Sequence, residues 1–77
     1  MSKKIVKWER LFDGMRPRLT GLPGAWFDEL LTEAREMYPA EYVMPGNLKT
    51  ALCALGWDRR LTVYSANAPR ERWGRQP

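Results

Sequence analysis

The sequence predicts a mostly α domain in which three helices lead into a C-terminal two-stranded β-hairpin. Three observations carry that prediction. Apolar residues recur at spacings of three and four over residues 4–15 and again over 26–38. A shorter amphipathic stretch ends at Gly56, and the segment after Trp57 switches to strand-like alternation that is repeated beyond a small polar turn. At 77 residues the chain has room for a single domain, and one of this size buries only about 60% of its unfolded surface. It divides into an N-terminal helix and loop (1–24), a helix pair (25–56) and a hairpin (57–75).

In the first helix Ile5, Trp8, Leu11, Phe12 and Met15 fall on one face. Gly14 weakens its end, and Pro17 pushes the residue before it toward extended backbone. The run P-R-L-T-G-L-P-G from Pro17 to Gly24 therefore reads as a connecting loop, with Leu19 and Leu22 pinning it to the core. The second helix has the broadest apolar stripe: Trp26, Phe27, Leu30, Leu31, Ala34, Met37 and Tyr38. Asp28 and Glu29 in its first turn suit the positive end of the helix dipole, and Pro39 stops it near Tyr38.

Pro45 and Gly46 read as a turn, and Asn47 as the N-cap of a third helix over Leu48 to Leu55. Leu48, Ala51, Leu52 and Leu55 form its inner face, and Gly56 ends it in the left-handed conformation. Lys49, Thr50 and Cys53 fall on the outward side. In the hairpin, alternation places Leu61 and Val63 on the core face beside Trp57, with Thr62 and Tyr64 opposite. The turn A-N-A-P leads into R-E-R-W-G-R. Trp57, next to the capping glycine, reads as a core plug, whereas Tyr64 points outward.

The formal charge of +4 is unevenly spread. Lys and Arg dominate residues 1–18 and 42–77, while Asp28, Glu29, Glu33, Glu36 and Glu41 make the middle acidic. Two faces of opposite sign are expected. With one cysteine and no histidine, the chain offers no disulfide framework, no Cys/His metal cluster and no imidazole base. Cys53 reads as a small packed residue, not a nucleophile, and no cofactor or enzymatic activity is expected. No apolar run approaches the roughly 18 residues that span a bilayer, and Lys3-Lys4 is not followed by a signal-peptide core. The expected setting is cytoplasmic.

The fragment L-K-T-A-L-C-A-L-G-W-D-R-R-L-T-V, followed by R-E-R-W-G-R, resembles the end of winged helix-turn-helix domains of phage and mobile-element replication and regulatory proteins. The likeness spans residues 45–75 and rests on Leu55, Gly56, Trp57, Arg59, Arg60, Arg72 and Trp73. It implies a recognition helix and wing that hold DNA. The contacts would come from Asn47, Lys49, Thr50, Arg59, Arg60, Tyr64, Arg70, Arg72 and Arg75. The third helix has no arginine, the side chain that most often reads guanine, so contact with a duplex is expected mainly through phosphates. The alternative is a phage-type inhibitor or adaptor that docks on a host nucleic-acid enzyme, such as the transcription machinery or a defence complex. Aromatics of the type that anchor interfaces speak for it.

Overall fold

The computed structural model describes residues 4–64 and 68–75. Three helices and three strands follow in the order α1 (Trp8–Leu19), β1 (Gly24–Trp26), α2 (Phe27–Met37), α3 (Pro45–Ala54), β2 (Trp57–Val63) and β3 (Arg70–Arg75). The strands form one antiparallel sheet of order β1-β3-β2. The fold is thus mixed α/β, and the predicted two-stranded hairpin gains a third strand from the chain between the first two helices. Residues 65–67, which hold part of the predicted A-N-A-P turn, lie outside the described residues, as do 1–3 and 76–77.

The first helix starts later and ends later than its apolar spacing predicts. Residues before Trp8 are extended: Tyr42 donates its amide to the Lys4 carbonyl (2.8 Å), and Val6 donates to the Tyr42 carbonyl (2.9 Å). An extended chain turns alternate side chains to opposite sides. Val6 is consequently buried while Ile5 is 52% exposed, the reverse of the predicted face. At the other end the helix runs through Gly14 and Pro17. Pro17 lacks one amide donor and crowds the carbonyl four residues back, but it lies in the last turn, which Leu19 holds in the core. Thr20 closes that turn by donating both its amide (3.1 Å) and its hydroxyl (2.7 Å) to the Arg16 carbonyl. The predicted loop shrinks accordingly, and Leu22 is left exposed rather than pinned.

The second helix ends at Met37 as Pro39 requires, but Trp26 precedes it in β1 rather than joining its apolar stripe. Its Leu30 and Ala34 are buried. In α3 Pro45 occupies the first turn, where its missing amide costs nothing, and Met44 takes the N-cap position assigned to Asn47. Gly56 has φ +84, the left-handed backbone expected of it. The core joins α1 to α3 through Leu11, Met15, Leu48, Ala51 and Leu52, and Trp57 and Trp73 carry it onto the sheet.

A β-bulge between Arg59 and Leu61 reverses the predicted faces of β2. One extra residue in a strand moves every later side chain to the other side. Trp57 is buried as predicted, but Leu61 is 54% exposed and Val63 is 40% exposed, so neither joins it in the core. Thr62 is the half-buried member of that stretch.

Between β1 and β3, Gly24 pairs with Gly74. A methyl group on Gly74 would stand 2.8 Å from the Pro23 carbonyl oxygen, and one on Gly24 would stand 2.8 Å from that of Trp73. Backbone cannot retreat as a side chain can, so Gly74→Ala should lower unfolding stability by about 1–3 kcal/mol. Gly46→Ala, where nothing lies within 4 Å, should be neutral or stabilising by up to about 1 kcal/mol. Urea unfolding of the two variants checks this, and equal midpoints would contradict it.

Candidate nucleic-acid interface

Residues directly opposite each other in an antiparallel sheet share a face, and neighbours along a strand alternate. From the register, Trp73 shares its face with Ala25 and Arg59, Glu71 with Thr62, and Arg75 with Trp57. The helices cover this side: the Trp73 ring lies 6.0 Å from that of Phe27. On the other side Arg72 stands between Leu61 and Trp26, Arg70 stands opposite Val63, and Gly74 stands between Asp58 and Gly24. Arg60, the bulge residue, lays its Cγ 3.5 Å from where a Gly74 Cβ would be. The hairpin arginines therefore do not form one surface.

On the helix side Lys49 is engaged, whereas Arg59 and Arg75 are exposed and have no carboxylate partner among the described residues. Glu71 accepts from Trp73 Nε1 (3.0 Å) and from Lys49 Nζ (3.5 Å). The Trp73 bond, with the charges of Lys49 and Arg59 behind it, holds the Glu71 carboxyl below the ordinary glutamate range. Lys49 also sits 5.2 Å from the Phe27 ring centre, so it turns toward the sheet and not outward. Asn47 donates Nδ2 to the Val6 carbonyl (3.0 Å), tying α3 to the N-terminal segment instead of offering its amide to a ligand. Thr50 is exposed but bonds back to the Gly46 carbonyl (3.0 Å). Cys53 is exposed, contrary to its reading as a packed residue. The outward face of α3 is thus made of Gly46, Thr50, Cys53 and Ala54, with no charge on it.

On the open side the guanidinium groups are arrayed around one aromatic ring. Arg70 Cζ lies 4.4 Å and Arg72 Cζ 5.4 Å from the centre of Trp26. Each such contact is worth about 0.5–1 kcal/mol at an exposed site and restrains a long side chain in advance. Arg70 also pairs with Asp28 (3.1 Å), whose carboxyl is held below the ordinary aspartate range chiefly by that bond. Among the described residues neither Arg60 nor Arg72 has a carboxylate partner. Tyr64, the residue after β2, is 82% exposed. Trp26, the centre of the arrangement, is read from the sequence as part of the second helix's apolar stripe and not as a contact residue. Its strand is three residues long, too short for alternation to be visible.

Comparison with protein-family models, with curated proteins and with solved structures finds no match to this chain. Among the described residues no helix is long and apolar enough to cross a membrane.

Glu71 links pH to stability with a definite sign. Its native pKa is depressed, so its contribution is present above the ordinary glutamate value near pH 4.3 and is lost as pH falls through the lower native value. Glu71→Gln should therefore lose less stability than the parent between about pH 6 and pH 3. Parallel urea titrations test this, and equal losses in the two proteins would contradict it.

Proposed function

We propose that this chain is a winged-helix module that holds DNA chiefly through the phosphate backbone, with the open face of the sheet as its contact surface. The observation that carries the reading is the grouping of Arg60, Arg70 and Arg72 on one face of the sheet, with Arg70 and Arg72 on the Trp26 ring. The order of three helices followed by a hairpin supports it, and so does the formal charge of +4. Arginine suits phosphate because its planar donors match two oxygens at once. The uncharged outward face of α3 argues for positioning on the backbone over reading of bases.

A second reading, docking on a host nucleic-acid enzyme, is favoured by Leu61 and Val63, which lie exposed opposite Arg72 and Arg70, and by the exposed Tyr64. A complex with a defined host protein that survives nuclease treatment selects it.

Three arginine contacts give a log–log salt slope of about −3 for duplex binding. The double substitution Arg60→Ala/Arg72→Ala should flatten the slope to about −1, whereas Arg59→Ala/Arg75→Ala, on the other side of the sheet, should leave it nearly unchanged. Fluorescence anisotropy with a labelled duplex measures both. Absence of binding to duplex or single strand at about 50 mM salt would refute the reading.

A further inference from the structure

We infer that the C-terminal half of β2 pairs edge to edge with the same segment of a second copy, joining two sheets into one of six strands. β2 is an edge strand, seven residues long, and among the described residues its backbone hydrogen-bonds across the sheet only to β3. An open edge presents alternate unpaired N–H and C=O groups and invites another strand unless it is guarded. The first half of β2 is guarded, since Asp58, Arg59 and Arg60 are charged and the bulge twists the strand. The second half, from Leu61 to Val63, has no charge, no proline and no further irregularity, and the residue that follows it, Tyr64, is uncharged.

The segment is also complementary to itself. In an antiparallel pair about a two-fold axis through Thr62, Leu61 lies opposite Val63 of the second copy and Arg60 opposite its Tyr64. Leu61 and Val63 share the open face, so the four apolar side chains of the two copies meet on one side of the joined sheet. No like charges stand opposed in this register. The exposure of Leu61 (54%) and Val63 (40%) thereby acquires a use that the helices of the same copy do not supply. A seam of this length buries less than the roughly 1,200 Å² of a stable interface, so the dimer is weak and reversible. Each copy carries a formal charge of +4, so salt should strengthen this association by screening, opposite in sign to its effect on DNA binding. The inference does not depend on the DNA reading.

The test uses the full chain with the exposed Cys53→Ala as background. Sedimentation equilibrium up to about 1 mM protein should show mass rising toward two chains, more steeply in high salt than in low. Val63→Lys, at an exposed site, should remain a monomer with an unchanged circular dichroism spectrum. Thr62→Cys should give a disulfide-linked dimer on mild oxidation, because directly opposed Cα atoms stand about 4.5–5.5 Å apart. Arg60→Cys should cross-link far more slowly, being offset from its own copy by about 13 Å. A single-chain mass at every concentration and salt would overturn the inference, as would equal cross-linking at the two positions.

Discussion

The position of β3 between β1 and β2 is the constraint from which the rest of this structure follows. A central strand has both edges paired and both faces assigned. On one side Trp73 reaches the helices and meets Phe27, while on the other Arg70 and Arg72 bracket Trp26. The close pairing of Gly24 with Gly74 brings β1 to β3 and carries Trp26 to the open side. Without β1, the arginines of β3 would have no ring to lie on and the sheet would be a hairpin with little to fix its register.

Much of the α-helical scaffold was legible because burial of a helix face leaves a periodic trace. Leu11, Met15, Leu30, Ala34, Leu48 and Leu52 all lie in the core where the spacing puts them. The errors have local causes. Pro17 stays helical because Leu19 is worth burying, a tertiary effect that backbone preference alone does not register. The β2 bulge falls in D-R-R-L, where no residue type marks it, and counting alternate residues from Trp57 then assigns every later side chain to the wrong face. A three-residue strand leaves no period at all, which is why β1 is not legible and Trp26 is assigned to the helix that follows it.

The candidate site was legible as a set of residues but not as a surface. Of its nine members, Asn47 and Lys49 are engaged within the fold, Thr50 bonds back within α3, and Arg59 and Arg75 share the face of Trp73 and Trp57. Arg60, Arg70 and Arg72 gather on the open face, and Tyr64 lies exposed after the end of β2. A rigid duplex cannot approach both sides of a sheet at once, so the division decides which cations act together. It also separates Arg70 and Arg72, which lie on an aromatic ring, from Lys49, which faces Glu71. The former lose less freedom on meeting a phosphate.

We propose that the open face of the sheet, and not α3, meets the nucleic acid. NMR of the arginine Nε–Hε groups during titration with a short duplex tests it most directly. The signals of Arg60 and Arg72 should shift and broaden while that of Arg59 and the backbone amide of Thr50 stay in place. Shifts at Arg59 and Thr50 with Arg60 and Arg72 unmoved would contradict the account.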